Sequence, residues 1–183
     1  AVLMANDIVS PTTVISSSKN VDGLNVAGTD PIVLTPSTNT STGFGTSAAI
    51  INESSSDSAG NKLNDTMATA VSVDRNQFGP TNNPNAPAGG YSVQFNGRIV
   101  EEGYRRAFDI DMLQVTLKAG EKLTLDIDGD GSVETAIKLF NSAGTQLASN
   151  DNGGTRDPGS SSSYDPYLVY SVPSDGTYYV SVQ

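Results

Sequence analysis

Met112-Leu113-Gln114-Val115-Thr116-Leu117-Lys118-Ala119-Gly120-Glu121-Lys122-Leu123-Thr124-Leu125-Asp126-Ile127-Asp128 reads as two strands joined by a turn. Leu113, Val115 and Leu117 alternate on one face, and side chains two residues apart share a side of a strand. Ala119-Gly120 makes the turn. Leu123, Leu125 and Ile127 then form a second inward face, which sends Thr124, Asp126 and Asp128 to the other side. The pattern extends in both directions. Ser92–Ile99 alternates around Val93 and Phe95, Ala136–Phe140 and Thr145–Ala148 flank the turn Asn141-Ser142-Ala143-Gly144, and Tyr167–Val172 and Thr177–Val182 flank Pro173-Ser174-Asp175-Gly176. Repeated short strands punctuated by Gly and Pro predict a mainly β fold, an antiparallel β-sandwich or jelly roll.

Upstream the pattern weakens. Ten of the twelve aromatic residues lie at or after Tyr91, with Phe44 and Phe78 the exceptions, so the main core is expected from the C-terminal half. Residues 1–60 are rich in Ser, Thr, Asn and Gly, and Thr35–Thr42 and Glu53–Gly60 read as loops. Ile8-Val9, Val14-Ile15, Leu24-Asn25-Val26, Ile32-Val33-Leu34 and Ala48-Ala49-Ile50-Ile51 are short apolar pieces at strand-like spacing. The expected division is an N-terminal segment 1–60 packed on a main domain 61–183. One short helix is expected within 61–74, capped by Asn64-Asp65-Thr66 and carrying Met67, Ala68, Ala70 and Val71. The stretch 79–90, with Pro80, Pro84, Pro87, Gly89 and Gly90, is expected to be a loop.

Composition excludes much chemistry. The 183 residues include 20 Asp+Glu against 10 Lys+Arg, a formal net charge of −10, with no His, Cys or Trp. A Ser–His–Asp triad, a Cys nucleophile, a His base, a Cys/His zinc site and a disulfide are all ruled out. A negative chain without basic patches is not a nucleic-acid binder. Its apolar stretches fall far short of the roughly 20 residues needed to span a bilayer, so no membrane insertion is expected. The chain reads as a monomeric module of a longer protein. Oxygen donors without nitrogen or sulfur donors leave the hard cations, Ca²⁺ above all.

Asp126-Ile127-Asp128-Gly129-Asp130-Gly131 is the strongest chemical feature. Alternating carboxylates followed by glycine resemble the first half of an EF-hand. The twelfth position is Ile137 rather than Glu, and a strand precedes it. A non-EF calcium loop with Glu134 as a further donor, or a solvated acidic turn, is expected instead. Asn150-Asp151-Asn152-Gly153-Gly154, continuing to Asp157, is a second cluster, and Tyr164-Asp165-Pro166-Tyr167 a third. Their positions at strand ends would let loops at one end of a sandwich converge on a cation. The expected metal donors are Asp126, Asp128, Asp130, Glu134, Asp151 and Asp165. Asp109 and Asp111, at i and i+2, face one side of an extended segment and read first as structural, bonding the backbone or pairing with Arg105 or Arg106.

The C-terminal two-thirds, about residues 62–182, resembles the bacterial pre-peptidase C-terminal domain. The matching segments are Asn64-Asp65-Thr66 with Ala68 and Ala70, Phe95-Asn96-Gly97-Arg98-Ile99, Phe108-Asp109-Ile110-Asp111, Val115–Gly120 with Leu123, Leu139–Asp151, Asp165-Pro166-Tyr167-Leu168, and Gly176–Val180. Met112 stands where the family commonly has an aromatic residue. The resemblance implies a non-catalytic β-sandwich, of the kind found in secreted peptidases and in large calcium-dependent surface adhesins. Some of the similar adhesin domains bind peptides in a calcium-dependent way and can use Ca²⁺ to hold a terminal carboxylate. Carried over here, it implies an extracellular module at the bacterial cell surface that takes a peptide or protein on a target cell. Arg156, Tyr164 and Tyr167, with Asn152 and Asp157, are the expected ligand contacts. The alternatives are a calcium-stiffened spacer, a carbohydrate-binding module, or an ancillary domain of a secreted peptidase.

Overall fold

The computed structural model describes residues 20–21, 24–25, 32–35, 43–53, 63–80, 90–97, 110–127, 135–153 and 163–183. Ile8, Val9, Val14, Ile15, Val26, Arg98 and Ile99, named above as strand residues, lie outside them. The described chain is mainly β. Its strands are β1 (Asn20–Val21), β2 (Leu24–Asn25), β3 (Ile32–Thr35), β4 (Ile50–Asn52), β5 (Val71–Val73), β6 (Gly79–Pro80) and β7 (Tyr91–Asn96). These are followed by β8 (Asp111–Leu117), β9 (Lys122–Asp126), β10 (Ile137–Asn141), β11 (Gln146–Asn150), β12 (Tyr167–Ser171) and β13 (Gly176–Val182).

The long strands form two sheets, as a sandwich requires. One has the order β11-β10-β13-β8-β5 and the other β12-β9-β3-β7-β4, with β6 also pairing β7. β1 and β2 form a separate antiparallel pair. Most long-strand pairs are antiparallel, while β4 on β7 and β5 on β8 run parallel. The core lies between the sheets. Val93 and Phe95 of β7 and Leu123 and Leu125 of β9 join Leu113, Val115 and Leu117 of β8 and Leu139 and Val180 of β10 and β13 in one buried cluster. Each such side chain contributes about 1.5–3 kcal/mol on burial. β9 is covered on both sides, because Thr124 and Asp126 are also buried.

The N-terminal strands enter the second sheet by backbone pairing. β3 lies between β9 and β7, with Val33 opposite Thr124 and Ser92. The segment 43–49 is tied to the main sheet region by Gly45 N to Phe78 O at 2.8 Å and Ala49 N to Gln77 O at 2.9 Å. Gly79 and Pro80, expected to open a loop, instead pair with Ser92 and Tyr91.

The helix expected over 61–74 is not formed in the described part of that segment, which is bends and turns leading into β5. Asn64, expected as a helix cap, directs its side chain to Asp111 instead, with Nδ2 donating to Oδ1 at 2.9 Å. Thr66 and Thr69 close a local turn, with their hydroxyls 2.8 Å apart. Val71–Val73 gain a full parallel partner in β8. A helix this short is marginal alone, and β-branched residues favour the strand once a partner is present. The helical turn in this region is the 3₁₀ segment Arg75–Gln77.

Candidate functional site

Three acidic or amide-rich segments meet where β9, β11 and β12 end or begin. Asp126 is the last residue of β9, opposite Tyr167 in the β9–β12 register. One step further, Ile127 N donates to Pro166 O at 3.2 Å. Tyr167 N donates to Asn150 Oδ1 at 3.3 Å, which ties the end of β11 to the start of β12. Gly153 N donates to Asp165 O at 2.6 Å. The end of β9, residues 150–153 and residues 165–167 are therefore held against one another by two main-chain bonds and one to the Asn150 side chain.

Gly153 is there because nothing larger fits. A Cβ at this position would lie 2.5 Å from the Asp165 carbonyl oxygen, well inside van der Waals contact. The glycine thus serves a close approach of two loops.

The side chains divide by burial. Asp126 and Asp165 are 3% and 2% exposed. Asp151 and Asn152 are exposed, Tyr164 is 52% exposed, and Tyr167 is half-buried. Asp126 is thus no solvated turn residue. Asp128, Asp130, Glu134, Arg156 and Asp157 lie outside the described residues. Among the described residues no group of three or more acidic side chains is placed to hold a metal ion.

A second polar node was only partly legible in the sequence. Asp111 opens β8 and is fully buried, and it accepts the Asn64 amide. Asn64 O in turn accepts the Met112 N–H at 2.9 Å. Gly97 packs against the same carboxylate, where a Cβ would come within 2.6 Å of Asp111 Oδ2. Glu53 N bonds Asn96 O at 2.8 Å, so the end of β4 joins this corner. The Asp-x-Asp spacing pointed to Asp111, but nothing local to residue 64 indicated its partner.

A third polar unit is structural. Arg75 forks onto Glu121, with contacts of 3.1 and 2.7 Å. Glu121 is fully buried and also accepts the Lys118 N–H at 2.7 Å. The guanidinium lies 4.3 Å from the Phe44 ring centroid, and Phe44 stacks on Tyr91 at 4.2 Å. Such stacking on a planar cation is favourable. Nothing local to either residue marks this pair, because 46 residues separate them.

The model of the bacterial pre-peptidase C-terminal domain family matches residues 109–183. The matched range holds β8 to β13 and the three converging segments, while the Asn64 turn and β3 to β7 lie before it. No curated protein and no solved structure matches the chain.

Proposed function

We infer that the chain is a non-catalytic, Ca²⁺-dependent ligand-binding module of an extracellular bacterial protein, directed at a peptide or protein on a target surface in the manner of an adhesin. The observation that carries this reading is the convergence of the β9 end, residues 150–153 and residues 165–167, with Asp126 and Asp165 buried among them. The family-model match supports a domain associated with peptidases or other extracellular proteins. The lack of His and Cys removes imidazole and thiol chemistry.

Ca²⁺ takes six to eight oxygens. The described residues bring two buried carboxylates to this corner, with Asp151 and Asn152 at its rim. Asp128, Asp130 and Glu134 follow Asp126 within eight residues of chain, so they are the further donors this reading requires. A bound cation would offset the like charge of the surrounding acids and attract an anionic group that a chain of net charge −10 otherwise repels. Tyr164, Tyr167 and Arg156 would complete the ligand contacts.

The test is thermal unfolding with chelator and with millimolar Ca²⁺, followed by a peptide array with free and amidated C-termini. A rise in Tm with Ca²⁺ and capture that needs both Ca²⁺ and a free C-terminus are expected. Identical melting curves would remove the metal. The family name itself favours a second reading, an ancillary domain of a secreted peptidase. Binding to a peptidase's protein substrate irrespective of its C-terminus would favour that.

A further inference from the structure

β12 is a terminal strand of its sheet, paired with β9 on one side and with no ladder partner among the described residues on the other, where the end of β11 lies against its first residue. Its hydrogen-bond phase follows from two bonds. Ile127 N donates to Pro166 O, and Val172 N donates to Glu121 O at 2.8 Å. Antiparallel strands alternate between residues whose N–H and C=O face the partner and residues whose groups face away. Pro166, Leu168, Tyr170 and Val172 therefore bond towards β9. Tyr167, Val169 and Ser171 direct their backbone groups off the edge of the sheet. The outward N–H of Tyr167 takes Asn150 Oδ1, as this phase requires.

Val169 and Ser171 remain as an exposed edge. Val169 is 45% exposed and Ser171 is exposed as well. Proteins guard such edges with charges, prolines, bulges or very short strands. β11, the edge of the other sheet, carries an irregularity in its register with β10 between Leu139 and Phe140. β4 and β5 are three residues long. β12 is five residues long, has no charged residue or proline, and pairs with β9 in unbroken register.

We propose that the outer edge of β12 receives an extended peptide as an added strand, hydrogen-bonded to the backbone of Val169 and Ser171. A row of outward N–H and C=O groups has one complementary chemistry, another extended backbone. The occupant is a neutral or basic peptide, because the chain carries −10 and an acidic strand would be repelled. A second copy of this chain is disfavoured on two grounds. Two such copies repel each other, and a five-residue edge is far short of the roughly 20–30 residues a side that a stable protein interface uses. The edge needs no metal, so this mode of binding stands apart from the Ca²⁺-dependent one.

The experiment uses the full chain in chelator, titrated with the acetylated, amidated peptide Lys-Thr-Val-Thr-Val-Thr-Lys and followed by amide NMR. The Val169 and Ser171 amides should shift progressively on binding. The same peptide N-methylated at alternate residues, on the edge that faces β12, should bind at least tenfold more weakly, as should a version with Glu for Lys. Val169→Pro removes an outward N–H that the β9 ladder does not use, so it should keep the fold and lose binding at least tenfold. If that variant does not fold, the N-methylated peptide decides the matter on the unaltered protein. No shift at Val169 and Ser171, or equal binding of the N-methylated peptide, would overturn the proposal. Equal binding of the Glu peptide would overturn the assigned charge of the occupant.

Discussion

Asn64 Nδ2 donates to Asp111 Oδ1 at 2.9 Å across 47 residues of sequence. Both residues are almost wholly buried. The bond joins the turn that precedes β5 to the first residue of β8, and Met112 N returns a bond to Asn64 O. Side chain and backbone of one asparagine thus place the start of β8.

Replacing Asn64 by Ala removes a donor from a buried carboxyl group and leaves the Met112 bond to the backbone. Hydrogen bonds of this kind are worth about 1.5–3 kcal/mol when the acceptor is charged. The expected loss is about 2 kcal/mol, read from chemical denaturation, with an unchanged denaturant slope. A loss within the scatter of surface variants would show that the bond does not organise the β8 start.

Arg75→Ala strands Glu121, which is fully buried. Removing one partner of such a pair costs about 3–5 kcal/mol. Arg75→Lys should recover only part, because an ammonium cannot fork onto both carboxylate oxygens. Combining Arg75→Met with Glu121→Leu should be milder than Arg75→Ala, since no charge is then left buried alone. The double variant still loses the bond from Lys118 N, at about 1 kcal/mol. Equal stability of Arg75→Ala and wild type in chemical denaturation would refute the role given to the pair.

Gly153→Ala places a methyl group 2.5 Å from a backbone oxygen of residue 165. The loops must separate, at a cost of about 1–3 kcal/mol. Amide exchange should accelerate at residues 153, 127 and 167 together, since they share the corner. Acceleration confined to residue 153 would mean that the three segments are not coupled.

Asp175 accepts from Lys118 Nζ and Ala119 N, each at 2.8 Å. The Lys118 hydrogen bond first, and then the Ala119 N–H, hold its carboxyl below the usual value. A depressed folded-state value contributes stability above the unfolded value of about 4, and that contribution is lost as pH falls through the folded one. Asp175→Asn should therefore lower Tm slightly at neutral pH and converge with wild type in acid. The group is exposed, so salt should shrink the difference. Burial first and then Tyr178 push the Tyr170 phenol upward. Its contribution is present below about pH 10 and declines as pH rises through the folded value. A Tyr170→Phe variant should flatten that alkaline limb.

The alternation of Leu113, Val115 and Leu117, and of Leu123, Leu125 and Ile127, was legible because a strand with one face in the core has a period of two. Burial of all six residues agrees with that reading. The turns at Ala119-Gly120 and Asn141–Gly144 were legible for a local reason as well, since Gly120 and Gly144 adopt positive φ. Asn141 Oδ1 accepts from Ala143 N and Thr145 N, which makes that turn locally encoded. The misplaced helix shows the limit. Residues 64–71 have caps and apolar spacing that suit a helix, yet Val71–Val73 find a parallel partner 42 residues later and Asn64 a carboxyl 47 residues later.

Sequence by itself determined the β periodicity, the hairpin turns, the oxygen-only donor chemistry and the exclusion of thiol and imidazole catalysis, because each depends on residue type and short spacing. Tertiary structure decided the parallel strands β4 and β5, the placing of β3 between β7 and β9, the Arg75–Glu121 fork and the meeting of Asp126, Asn150, Gly153 and Asp165. These are contacts between segments far apart in the chain. Their energies come from burial and hydrogen-bond completion once the two sheets have closed, and no local pattern of residues carries that information.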